Sequence, residues 1–199
     1  MVLAALGPLV KPLTVQPGSR YSLTAAIVDQ RTIRIDAYEA MTEAGDRIDA
    51  PDGHLYSDKA PGQPVFATPF YAMARLVGAE PATILRVHGN LGLWWITLWS
   101  AAVPLAALAA LMTKAASRHS RRGAPAIALC LAFGSPLAPF GVELYGHLLA
   151  TALAFGAYHL VNRDDRRPID LLGAGACAAL AVAVEFPVAL MAPILFGYL

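Results

Sequence analysis

The 199 residues are 57% hydrophobic and 15% charged, with a mean hydropathy of +0.52 and a formal net charge of +1. Soluble domains carry about 25% charged residues, so this composition points away from one, and the near-zero charge argues against a nucleic-acid partner. The two cysteines lie inside apolar runs, and the five histidines form neither an H-x-x-x-H pair nor a Cys/His cluster. Buried, inert thiols and no metal site are therefore expected.

In chain order, residues 1–15 read as part of a first transmembrane segment. They are apolar only as far as Lys11 and Pro12 and lack the basic start and cleavage site of a signal peptide. The chain is expected to begin inside a longer span and to stop inside another at Leu199. Residues 16–90 read as a polar external loop, with eight of the fourteen acidic side chains between 16 and 62. Two amphipathic juxtamembrane helices are expected in it, at about 20–31 and 63–78. The first sets Leu23, Ala26 and Ile27 on one side. The second repeats Val65, Phe66, Pro69, Phe70, Met73, Leu76 and Val77 at helical spacing. Between them Thr32–Asp36 alternates like a short extended piece, and Ala50-Pro51-Asp52-Gly53 signals a turn.

Beyond residue 90 the charges thin out. Leu91–Thr113, Gly123–Val142 and Leu144–Asn162 are uncharged runs of about 20 residues, long enough as helix to cross hydrocarbon. Spans are expected at about 91–113, 123–142, 144–162, 169–186 and 187–199. Small residues such as Gly173-Ala174-Gly175-Ala176 suit close helix packing in lipid. The fold class that follows is all-α: a polytopic transmembrane helix bundle with an external loop that carries amphipathic juxtamembrane helices.

Charge placement orients it. Lys114, Arg118, Arg121 and Arg122 form one basic loop; Arg163, Arg166 and Arg167 form a second, diluted by Asp164 and Asp165. Two spans separate these loops, so both lie on one face, and basic loops stay inside. Trp94, Trp95 and Trp99 then mark an outer interface. Segment 62–79, rich in proline and carrying Arg75, is expected to lie along the surface rather than cross. That places loop 16–90, the turn around Glu143 and His147, and Glu185 on the non-cytoplasmic side of a cell membrane.

Ionisable groups near or within spans are functional candidates. Glu143 and His147, four apart, share a helix face or else close a turn by a local hydrogen bond; Glu185, before Phe186-Pro187, serves a site or caps a helix break. His159 reads as interfacial. The densest polar patch is Asp52–Gly62, where Lys59 stands at headgroup height, suited to an anionic phosphate, or sits in an exposed loop with an incidental ion pair.

Taken together, Tyr56-Ser57-Asp58-Lys59-Ala60-Pro61-Gly62 before a helix, Gly134-Ser135, Pro139-Phe140, Tyr145-Gly146-His147 and Glu185-Phe186-Pro187 resemble the amino-terminal half of bacterial C-type (GT-C) membrane glycosyltransferases. Protein O-mannosyltransferases and the aminoarabinose transferases of lipid A are branches of that superfamily. The likeness runs over about residues 19–199. It implies inverting transfer of a sugar from a polyprenyl-phosphate carrier to an acceptor outside the cytoplasm. A carboxylate of the external loop, Asp58 or Asp36, would be the catalytic base. Lys59 would match the lysine of a Lys-Pro-Pro-Leu element and hold phosphate. Arg20, Tyr56, Glu143, Tyr145, His147 and Glu185 complete the expected substrate-binding set. No resident metal is assigned, although Mg²⁺ or Mn²⁺ is compatible with the loop acids.

Two departures stand out. Gly18-Ser19-Arg20-Tyr21-Ser22 lies where many relatives carry an acid, and Ala60 replaces a proline. The family's usual length exceeds this chain, so further helices or a partner membrane protein are expected. The competing reading is a non-catalytic polytopic membrane protein: a transporter fragment, a scaffold subunit or a degenerate enzyme.

Overall fold

A computed structural model of the chain describes residues 2, 13, 15–82 and 90–197. It is mostly helical, as the composition predicts, with two three-residue strands. The expected first span, apart from Val2, Leu13 and Val15, lies outside the described residues, as do 198–199 of the last.

The external-loop region begins with α1 (Val15–Ala25), which runs on as a π-helical turn, Ala26–Gln30. Leu23, Ala26 and Ile27 share one face as the spacing predicts, packed with Ile35, Tyr38 and Leu55. A 3-10 turn, Asp36–Met41, leads into β1 (Arg47–Asp49) and β2 (Leu55–Ser57). These pair antiparallel with Ile48 opposite Tyr56, and Arg34 bridges to Tyr56 on the other side. The connecting turn is the predicted one. Gly53 donates to the Ala50 carbonyl at 3.0 Å and takes a φ of 80°, a conformation that favours glycine.

Helix α2 (Gly62–Leu76) follows. Its buried face is Gln63, Ala67, Tyr71 and Ala74, whereas Val65, Phe66, Met73, Leu76 and Val77 are exposed. The helix is amphipathic in the inverted sense, apolar outward. Asp29 ties it to the π turn. One carboxylate oxygen accepts Tyr71 Oη at 2.8 Å and Tyr38 Oη at 3.2 Å, and the other accepts Arg75 Nε at 2.9 Å. Burial above all pushes the Tyr71 and Tyr38 phenols up, so both remain protonated donors to Asp29.

Asn90 caps the long helix α3 (Leu91–Ala116) by accepting from the Leu93 amide at 2.8 Å. A π-helical stretch, Leu98–Ala102, interrupts α3 and places Ser100, Ala101 and Ala102 inward. Aromatic rings bind α2 to it, with Phe70 stacked on Trp99 at 5.0 Å. Helix α4 (Ala124–Phe133) stops short of the expected 123–142 span, and only the four-residue α5 (Leu137–Phe140) continues it. The cause is local. Gly134 donates to the Cys130 carbonyl, Ser135 turns its hydroxyl back onto Leu131, and Pro136 has no amide to continue the ladder.

Helices α6 (His147–Val161) and α7 (Pro168–Val184) pack against each other through small residues, Ala157 and Ala174 among them. Pro168 opens α7, and Asp170 accepts from the Arg167 amide at 2.9 Å. A 3-10 turn, Phe186–Met191, and the short α8 (Ala192–Phe196) replace the single helix expected at 187–199.

Among the described residues one helix, Leu91–Ala116, is long and apolar enough by itself to cross a membrane; α4, α6 and α7 are apolar but shorter. Val2 packs into a core with Leu105, Ala109, Ala128, Val142 and Leu148. The start of α2 seats on the end of α7, because a Cβ on Gly62 would fall 2.5 Å from the Ala183 carbonyl group. Gly62→Ala is therefore expected to lower stability by about 1–3 kcal/mol. Gly175→Ala, which meets nothing, is expected to leave it unchanged or raised in thermal unfolding of the purified protein.

Candidate functional site

Residues far apart in sequence meet where α1, the start of α6 and the end of α7 converge. Arg20 is 3% exposed on α1, and its Nη2 donates to Glu185 Oε1 at 2.7 Å. The same oxygen lies 3.3 Å from His147 Nδ1 at the start of α6. Gly146 makes the approach feasible, since a Cβ there would fall 2.6 Å from Glu185 Oε1 and 3.0 Å from Arg20 Nη1. Three of the side chains that the sequence nominates, Arg20, His147 and Glu185, thus form one cluster. Tyr145 stacks on His147 with ring centroids 5.4 Å apart, and Phe140 meets both edge-on.

Two features of this cluster suit a bound anion. Arg20 Nε and Nη1 are buried and have no hydrogen-bond partner, although buried polar atoms are overwhelmingly satisfied. Gln63, fully buried on the first turn of α2, has neither amide atom bonded. It sits between Gly62, which touches α7 one residue before Glu185's neighbour Val184, and Pro64, whose carbonyl accepts from Thr24 one turn beyond Arg20. A guanidinium stays charged at any physiological pH, so donors left over after the Glu185 bond favour an oxyanion.

The loop candidates gather close by. Ser57 Oγ lies 2.7 Å from Ser19 Oγ, beside Arg20, and Gly62 lies against α7. Asp58 and Lys59 therefore occupy the short span between two anchors of the cluster. Lys59 Nζ is held by two carboxylates, Asp46 Oδ1 at 2.5 Å and Asp58 Oδ2 at 2.9 Å. Burial pulls its ammonium down, but the hydrogen bonds to Asp46 and Asp58 outweigh this and leave it raised.

Asp36 sits at the other end of β2, with both oxygens engaged. Oδ1 accepts the Leu55 amide at 2.8 Å, and Oδ2 lies 3.1 Å from His54 Nδ1. The Leu55 hydrogen bond leads the effects that hold its carboxyl below the usual carboxylate range. Tyr56 donates to Asp52 at 2.8 Å on the same face of the hairpin. Glu143 lies in the turn before α6 and bonds its own neighbour, its carbonyl accepting from the Tyr145 amide at 2.9 Å.

Asp46 and Gln63 were not singled out by sequence. Asp46 was within reach: the pairing Arg47↔Ser57, carried one residue further, sets Asp46 opposite Asp58, and two facing carboxylates call for a cation such as Lys59. Among the described residues no group of three or more His, Cys, Asp or Glu side chains is placed to hold a metal ion. Comparison with family models, with curated proteins and with solved structures returned no match.

Two outcomes are expected. Removing either member of the Arg20–Glu185 pair leaves a buried uncompensated group. Arg20→Met or Glu185→Gln should each cost about 3–5 kcal/mol, and the double variant less than their sum, in a double-mutant unfolding cycle. For Asp36 the sign follows from a depressed carboxyl. Its contribution is complete above the unfolded-state value of about 3.9 and is lost as pH falls through the lower folded-state value. Exchange of the Leu55 amide should accelerate on that acid side, and Asp36→Asn should remove the pH dependence.

Proposed function

We propose that the chain is embedded in a membrane and carries the donor-phosphate side of a polyprenyl-phosphate-dependent glycosyltransferase site on the non-cytoplasmic face. The membrane part rests on inverted surface chemistry. The outward residues of α7 include Leu171, Leu172, Gly175, Ala176, Ala179 and Leu180, and those of α4 include Ile127 and Phe133. Polar side chains lie inside instead: Ser19, Ser22, Thr24, Gln63, Thr97 and Ser100 are all buried. Water favours the opposite arrangement, and hydrocarbon favours this one. Helices α4, α6 and α7 are short for a span, and tilt or local thinning of the bilayer accommodates such lengths.

The basic loops 117–123 and 162–167 join the ends of helices opposite the Arg20 cluster, so the positive-inside rule puts the cluster outside. Multi-pass topology, with loop 16–90 external, belongs to this proposal, as does the GT-C relationship suggested by the motifs.

The observation that carries the catalytic reading is Arg20, a buried guanidinium with one carboxylate partner and two vacant donors. It takes the carrier phosphate better than Lys59, which already faces two carboxylates. In the proposed step the acceptor hydroxyl loses its proton to Asp58. The freed oxygen attacks the anomeric carbon from the face opposite the phosphate. The bond from that carbon to the phosphate oxygen breaks, and polyprenyl phosphate leaves with the electron pair. Asp58 bonds Lys59 through Oδ2, which leaves Oδ1 to accept the proton. Asp36, with both oxygens bonded and its carboxyl lowered, is the weaker base of the two. Lys59 then positions Asp58, and cations beside the leaving phosphate stabilise its charge.

Undecaprenyl phosphate is the probe. It should raise the unfolding midpoint of the wild-type protein in detergent and be retained in native mass spectrometry. Arg20→Gln should lose at least tenfold in retention, and Lys59→Gln less. A wild-type protein that ignores undecaprenyl phosphate would leave the non-catalytic membrane protein as the surviving reading.

A further inference from the structure

A second charged cluster lies at the other end of the bundle and takes no part in the site described above. Lys114 lies on the last turn of α3 with Arg118 just beyond it, and His159 lies on the last turn of α6 with Arg163 just beyond it. The two pairs face each other, because both Arg118 Nη atoms lie 3.4 Å from the Asn162 carbonyl oxygen. His159, half-buried, lies within electrostatic reach of Lys114, Arg118 and Arg163 together.

Local compensation falls short. The C-terminal ends of α3 and α6 supply roughly half a negative charge each. Asp170 is bonded into the cluster, at 2.7 Å from Arg163 Nη1, and it also lies 3.7 Å from Arg167. Across the two loops and helix ends, Lys114, Arg118, Arg121, Arg122, Arg163, Arg166 and Arg167 stand against Asp164, Asp165 and Asp170.

An apolar surface borders the cluster. The first turns of α7 pack on the end of α6, where a Cβ on Gly173 would touch Leu160, and they turn Ile169 and Leu172 outward at 62% and 70% exposure. A ligand that matches both halves carries an anionic phosphate and long acyl chains.

We propose that Lys114, Arg118, Arg163 and His159 form a binding site for the phosphate headgroup of an anionic phospholipid of the inner leaflet, its acyl chains lying along Ile169 and Leu172. The site rests on the membrane reading but not on the glycosyltransferase reading. The adjoining apolar surface selects a lipid over free phosphate, which has nothing to place there. Each cation near an anionic surface contributes enough to change retention about fivefold.

The test uses the whole chain reconstituted in nanodiscs of phosphatidylcholine with or without phosphatidylglycerol. Lipid retention is read by native mass spectrometry after extraction, and stability by thermal unfolding. The wild type should retain phosphatidylglycerol and unfold later in its presence; K114Q/R118Q should retain it many-fold less. R118K, which keeps the charge, should stay near wild type, and R121Q/R122Q should lose far less than K114Q/R118Q. Equal losses in R121Q/R122Q and K114Q/R118Q would mean diffuse surface attraction and would overturn the site. So would inorganic phosphate reproducing the stabilisation in pure phosphatidylcholine. Failure of the wild-type chain to enter nanodiscs at all would instead remove the membrane reading, and this site with it.

Discussion

A guanidinium cannot shed its charge to escape burial, and that fact organises the contact between Arg20 and Glu185. The two residues are 165 positions apart, and their 2.7 Å hydrogen bond joins the loop region to the far end of α7. Moving Arg20 out of water has a cost that its carboxylate partner only partly offsets. The rest of the arrangement follows from keeping both groups in place. Residue 146 is glycine because a side chain would strike both members of the pair, and residue 62 is glycine because α2 must lie directly on the α7 backbone. Ser19, next to Arg20, reaches Ser57 and hangs the β hairpin from the same helix. The pair thus acts as the common anchor for α1, the hairpin, α2, α6 and α7.

The second feature is the outward apolar face of α2. Helix α2 turns Gln63 and Tyr71 toward the protein and Phe66, Met73 and Leu76 away from it. With water outside, such a helix would rotate to bury the apolar stripe. In the proposed membrane setting lipid would remove that driving force and leave the need to satisfy polar groups internally. At the protein's edge Asp29 links the π turn to two further elements, accepting from Tyr38 on the 3-10 turn and from Tyr71 and Arg75 on α2. The inverted surface and the internal polar network are two aspects of one balance.

Much of this was legible in the sequence, and the parts that were not share a cause. Uncharged runs located α3, α4, α6 and α7, the Ala-Pro-Asp-Gly turn located the hairpin, and the heptad-like spacing of Val65 to Leu76 located α2. Ionisable side chains in apolar surroundings, together with the motif resemblance, nominated Glu143, His147 and Glu185, and the last two do meet. Helix boundaries were missed where a few residues decide them: Gly134-Ser135-Pro136 ended α4 early inside a run that composition reads as continuous. Partners were missed where tertiary structure supplies them. Lys59 reads in the sequence as a cation for phosphate or a member of an incidental ion pair, and the hairpin register brings Asp46 across to it. Gln63 gave no signal, because burial of an amide on an otherwise apolar helix depends on which face the neighbours cover.

These anchors differ in kind. The Asp29 network and the Arg20–Glu185 pair fix α1 and α2 from both sides, and the second of these holds a buried charge. The hairpin is held by several smaller contacts, with Ile35 donating to the Leu55 carbonyl, Asp36 accepting the Leu55 amide and Arg47 paired with Glu39. Ser19–Ser57 is a single bond between hydroxyls, and Lys59 is held by carboxylates that leave it partly exposed. A neutral hydroxyl pair contributes about 1 kcal/mol, well below a buried ion pair. The Ser19–Ser57 contact is therefore a weaker link to α1 than the Arg20–Glu185 pair beside it.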